Sequence, residues 1–99
     1  MDLKNARILI VDDDKIVART LERSLRAGGF QVNVFNNGVE ALQAARSNRP
    51  DLVVLDVMMP GMDGYEVCRQ IRNDQLLEDL PVLFLSAKGK EEERITGFR

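Results

Sequence analysis

The chain has 99 residues, 44% of them hydrophobic and 30% charged, which fits one small globular domain near the lower limit for burying a core. A net charge of -2 argues against a nucleic-acid or anionic-membrane surface, and the single Cys68 excludes an internal disulfide. The N-terminal Met1-Asp2-Leu3-Lys4-Asn5 has no apolar signal core, and no run approaches the roughly 20 residues that span a bilayer, so a cytoplasmic location is expected.

The first strand is predicted over residues 7–11, where Ile8 to Val11 is a continuous rather than alternating apolar run and so is buried on both faces. An amphipathic helix follows from about Lys15 to Ala27, with Val17, Leu21 and Leu25 as its stripe and Ile16 and Thr20 beside it. Gly28-Gly29 ends it. Gln31 to Phe35 alternates, as an edge strand with one wet face does, and Asn36-Asn37-Gly38 signals a turn. A second helix runs to about Asn48 with Val39, Leu42 and Ala45 inward, and Pro50 marks its end. Leu52 to Asp56 is a second buried strand, and Met59 to Gly64 is a loop by its proline and glycines. A third helix carries Val67 and Ile71. Pro81 introduces a fourth strand, Val82 to Ser86, and Lys90 to Arg99 reads as the start of a charged helix.

Strands and helices that alternate in this way call for a parallel sheet with right-handed crossovers and helices on both faces. The expected architecture is a flavodoxin-like, doubly wound α/β sheet of order 2-1-3-4 in a single domain over residues 1–99. In such sheets ligands bind beyond the carboxyl ends of the strands at the topological switch point, here between the first and third strands. Both of those strands end in carboxylates: Val11-Asp12-Asp13-Asp14 and Leu55-Asp56. Parallel neighbours lie about 4.8 Å apart. Two ionised carboxylates roughly 4 Å apart repel by about 4 kcal/mol at an effective dielectric of about 20. A bound cation or a raised pKa relieves that repulsion. An all-oxygen donor set with no His and no nearby Cys favours a hard ion, Mg²⁺ or Mn²⁺. A helix cap explains one aspartate, and Asp14 is the best candidate for it. Asp63 is a turn or cap residue, and Cys68 is core packing. Met58, Met59 and Met62 read as loop and core residues.

Three blocks taken together resemble the receiver domain of bacterial response regulators. They are Ile8-Leu9-Ile10-Val11-Asp12-Asp13, then Leu55-Asp56-Val57-Met58-Met59-Pro60-Gly61-Met62-Asp63-Gly64, then Leu83-Phe84-Leu85-Ser86-Ala87-Lys88. The resemblance runs from about Ala6 to the last residue. It implies that Asp56 is the phosphoacceptor, taking a phosphoryl group from a phosphohistidine on a sensor histidine kinase or phosphotransfer protein. It implies that Asp12, Asp13, Asp56 and the backbone carbonyl of Met58 hold Mg²⁺. By the same resemblance Ser86 is the switch hydroxyl, and Ala87 and Met58 line the phosphoryl pocket. Receivers continue through a fifth strand, which bears a phosphate-binding lysine, and a fifth helix. This chain is therefore expected to be truncated before them, with Lys88 no substitute. The fourth strand is then an open apolar edge, and self-association through it is expected. Two other readings stand beside the signalling one. A Mg²⁺-dependent phosphotransferase or phosphatase would want a second aspartate two residues after the nucleophile, where Met58 stands. An inactive or engineered α/β fragment would pair with another chain.

Overall fold

The computed structural model describes residues 5–85 and 95–98. In chain order it has β1 (Arg7–Val11), α1 (Lys15–Ala27), β2 (Gln31–Phe35), α2 (Gly38–Ser47), β3 (Leu52–Asp56), α3 (Gly64–Arg72), β4 (Val82–Leu85) and β5 (Ile95–Phe98). The sheet order is β2-β1-β3-β4-β5. The first four strands are mutually parallel, in the order 2-1-3-4 that the alternation of strands and helices predicts.

The unbroken apolar runs in β1 and β3 serve two cores at once. Leu9 and Val11, with Val53 and Leu55, face Ala41, Leu42 and Ala45 of α2 and Val67, Cys68 and Ile71 of α3. Ile8, Ile10 and Val54 face the other way, toward Ala18, Leu21 and Leu25 of α1. A strand covered on both faces has no wet side to keep polar, so alternation disappears. Each fully buried Val, Leu or Ile contributes about 1.5–3 kcal/mol relative to exposure. Local signals set the helix ends. The side chain of Asp14 accepts from the N–H groups of Ile16 and Val17, Asn37 accepts from Glu40 N–H, and Asp63 accepts from Glu66 N–H.

Two expectations are corrected. Val39, expected to point inward from α2, is exposed, and Gly38, Ala41, Leu42 and Ala45 form the buried face instead. With Asn37 as cap, that face recurs every three to four residues from Gly38, and Val39 lies about 100° off it. The second correction concerns the chain's last stretch. Within Lys90 to Arg99, Ile95–Phe98 is not helical but a strand, paired antiparallel to β4 with Leu83 opposite Phe98 and Phe84 opposite Gly97. Ile95, Thr96 and Phe98 are strand-favouring residue types, and β4 offers an unpaired ladder for them to satisfy. The β4 edge expected to lie open and to recruit another chain is therefore covered by this chain's own β5. The rest of that stretch, with Ser86, Ala87 and Lys88, lies outside the described residues.

The candidate acidic site at the switch point

β1 is flanked by β2 on one side and β3 on the other, and the chain leaves β1 into α1 on one face of the sheet but leaves β3 into α3 on the other. The register of β1 and β3 brings Val11 opposite Leu55. One residue further along each strand stand Asp12 and Asp56. Among the described residues, Asp12, Asp13 and Asp56 each offer a carboxylate oxygen, and these oxygens all lie within 4.8 Å of one another. Asp12 and Asp56 are each only 1% exposed, while Asp13 is half-buried at the rim.

The two strand ends are built alike. The N–H of Asp14 donates to Asp12 Oδ1 at 2.9 Å, and the N–H of Met58 donates to Asp56 Oδ1 at 3.2 Å. In each case a carboxylate accepts from the main chain two residues on, which turns the backbone sharply off the sheet. That turn explains how a buried aspartate can end a strand in the core and still aim its carboxylate at the carboxyl edge. Asp14, the third acidic residue in the run, is committed to capping α1 and is not in the cluster. Asp63 caps α3, as the sequence suggests. Cys68 packs in the core and Met59 is buried beside it. Met58 is 56% exposed, and its main-chain N–H is bound to the Asp56 carboxylate.

Sequence reasoning missed two contributors. Asn36, read only as part of a turn, donates its side-chain amide to the Asp12 carbonyl at 3.0 Å. Gly64, read as a loop residue, lies against the main chain of Asp56 and Val57. A polar residue following an edge strand next to the acidic strand was the available signal for the first. For the second there was only the glycine itself.

The donor set fits a hard divalent cation. Three carboxylates converge, two of them withdrawn from water, with neither His nor Cys beside them. At 4.8 Å, each ionised pair repels by roughly 3–4 kcal/mol at an effective dielectric of about 20, and a cation would reverse the sign of that interaction.

The sequence matches the family profile of the response regulator receiver domain over residues 8–99. It is similar to the "Response regulator MprA" of Mycobacterium sp. (strain KMS), 53% identical over 91 residues, which are 92% of this chain and 39% of that protein. The protein of the same name from Mycobacterium ulcerans (strain Agy99) is 50% identical over 93 residues, again covering 39% of its length. The chain thus spans about two-fifths of these relatives. Among solved structures, the N-terminal domain of a response regulator receiver protein from Methanoculleus marisnigri superposes with a TM-score of 0.80 at 39% identity, covering 89% of this chain and 72% of that one. Response regulator TrrA from Thermotoga maritima, in complex with Mg(2+)-BeF, gives 0.77 at 37% identity, with 85% and 71% covered. By its sequence and its strand order, the chain belongs to the response regulator receiver domain family.

Proposed function

We propose that this receiver domain accepts a phosphoryl group on Asp56 from a phosphohistidine of a sensor histidine kinase or phosphotransfer protein. The observation that carries the reading is the buried Asp56 carboxylate, within 4.8 Å of both Asp12 and Asp13 at the carboxyl edge of the sheet. An Asp56 oxygen attacks phosphorus, the phosphorus–nitrogen bond breaks, and the electron pair leaves on the imidazole nitrogen, which takes a proton from solvent. The Met58 N–H, already bonded to Asp56 Oδ1, fixes the carboxylate's rotamer before the attack, which removes part of the orientational cost. Asp12, Asp13, Asp56 and the Met58 carbonyl would hold Mg²⁺, with Mn²⁺ as the alternative. When bound, the ion supplies charge neutralisation between these carboxylates and the incoming phosphoryl oxygens.

In the same proposal Ser86 is the hydroxyl that bonds the new phosphoryl group, and Ala87 leaves room for it. The added charge is then read out through a two-state element. The domain acts as a phosphorylated signalling module, with at most Mg²⁺-dependent self-phosphorylation and self-dephosphorylation, not as a turnover enzyme. A cytoplasmic site follows from where such a phosphodonor presents its histidine. No described helix is long and apolar enough to cross a membrane.

Acetyl phosphate or beryllofluoride with Mg²⁺ should modify the protein once, at Asp56, as read by mass spectrometry or ¹⁹F resonance. Asp56→Asn should show none. Labelling of Asp56→Asn at the wild-type rate would remove the assignment.

A further inference from the structure

The acidic site is braced from behind by the turn between β2 and α2. The N–H of Asp12 donates to the Phe35 carbonyl at 3.0 Å, and Asn36 Nδ2 donates to the Asp12 carbonyl at 3.0 Å. That carbonyl belongs to the peptide joining Asp12 to Asp13. Its direction sets the angle at which the two carboxylates leave the main chain. Phe35 thus fixes one side of Asp12, and Asn36 fixes the other.

The turn is itself held in place. Asn37 caps α2 through Glu40 N–H at 2.9 Å. Gly38 is buried so tightly that a Cβ there would stand 2.6 Å from Val67 Cγ2 and 3.1 Å from Met62 Sδ. Val67 lies in α3, and Met62 lies in the loop that leads to α3 from Asp56. A continuous path of contacts therefore leaves Asp12, passes through Asn36 and Gly38, and reaches the segment following Asp56. It ties the two acidic strand ends together outside the sheet.

We propose that Asn36 is a positioning residue of the acidic pocket: its amide holds the Asp12–Asp13 peptide so that both carboxylates converge on one divalent cation. The inference rests on the Mg²⁺ reading of the cluster. It adds a residue that touches neither the ion nor the phosphoryl group and acts through the main chain of a ligand. Partners that orient metal ligands in this way govern affinity although they make no bond to the metal. Asn36 is exposed, so its removal leaves both cores untouched. A merely structural role would shift stability and leave the Mg²⁺ affinity of the folded protein unchanged.

Mg²⁺ titration of the wild type, Asn36→Ala, Asn36→Gln and Asp13→Asn, followed by amide resonances of the folded protein, separates the cases. Asn36→Ala should bind Mg²⁺ about three- to tenfold more weakly, at or below the lower end of what loss of such a partner costs. Asn36→Gln keeps the amide donor on an exposed side chain with space to reach, and should recover most of the affinity. Wild-type affinity in Asn36→Ala overturns the proposal, and so does equal loss in both Asn36 variants. If the wild type takes up no Mg²⁺, or Asp13→Asn binds it equally well, the metal reading itself has failed, an outcome distinct from a failure at Asn36 alone.

Discussion

Gly64 is the clearest case of a residue selected for what it lacks. A Cβ at that position would lie 2.9 Å from Val57 Cα and 3.0 Å from the Asp56 carbonyl carbon, and closer still to the Asp56 carbonyl oxygen. All of these are main-chain atoms at the end of β3, so none can swing aside as a flexible side chain would. The N–H of Gly64 also donates to the Val57 carbonyl at 3.1 Å, which holds the first turn of α3 against the strand. Gly64→Ala should therefore destabilise the fold by about 1–3 kcal/mol, the ordinary cost of overpacking. It should also disturb the Asp56–Met58 turn, seen as shifted Val57 and Met58 amide resonances. Chemical denaturation checks the first effect; a variant as stable as the wild type would mean the strand end yields freely. Asp12, Asp13 and Asp56 were readable in the sequence because charge at the end of an apolar run is rare and costly. Asn36 and Gly64 were not, since their roles depend on which backbone atoms the fold brings beside them.

At the scale of elements, β1, α1, β2 and β3 could be bounded from the sequence because apolar runs, caps and glycines all agree there. Val39 misled because a lone apolar residue in a first turn does not fix the helix's phase. Ile95–Phe98 misled because the charged run before it reads as helix, while its strand pairing depends on a vacant neighbour that only the assembled sheet supplies. The segment after α3 is held by an equally non-local device. Arg46 of α2 bonds Asp74 at 2.7 Å, and Arg49 Nε donates to the Leu76 carbonyl at 3.0 Å. The Arg46 guanidinium, helped by the Leu76 N–H, holds the Asp74 carboxyl below its ordinary value. A depressed folded-state pKa contributes stability above the unfolded value, and that contribution is lost as pH falls through the folded value. The stability difference between wild type and Arg46→Ala should thus be present at neutral pH. It should fade on acidification from about pH 5 to well below the ordinary aspartate value of about 3.9. Urea unfolding of both proteins across that range checks it; a gap that does not depend on pH would assign the effect to the arginine's packing instead.

For the whole molecule, the acidic cluster sets the function proposed here against stability. Folding gathers three carboxylates within 4.8 Å, two of them buried, whereas the unfolded chain leaves Asp12 and Asp56 44 residues apart in sequence and fully hydrated. The cores on the two faces of the sheet bear that cost, since Ile10, Val11, Val53 and Leu55 surround the strand ends with no exposed surface. Removing one charge should then stabilise the protein. Asp13 is the best choice, because it stands half-buried at the rim, where a neutral amide is readily solvated. Asp13→Asn should raise metal-free stability by about 1 kcal/mol, well under the bare Coulomb repulsion because solvent screens a rim carboxylate. Mg²⁺ should do the same for the wild type by binding the folded state alone. At 100 times its dissociation constant, the gain would be about 2.7 kcal/mol. The two effects share one origin and should not add: Asp13→Asn, already relieved, should gain much less from Mg²⁺. Thermal unfolding of both proteins with and without millimolar Mg²⁺ tests the prediction. A wild-type melting temperature indifferent to the ion, or an equal gain in both proteins, would mean that the carboxylates are not held against one another as the cluster's geometry implies.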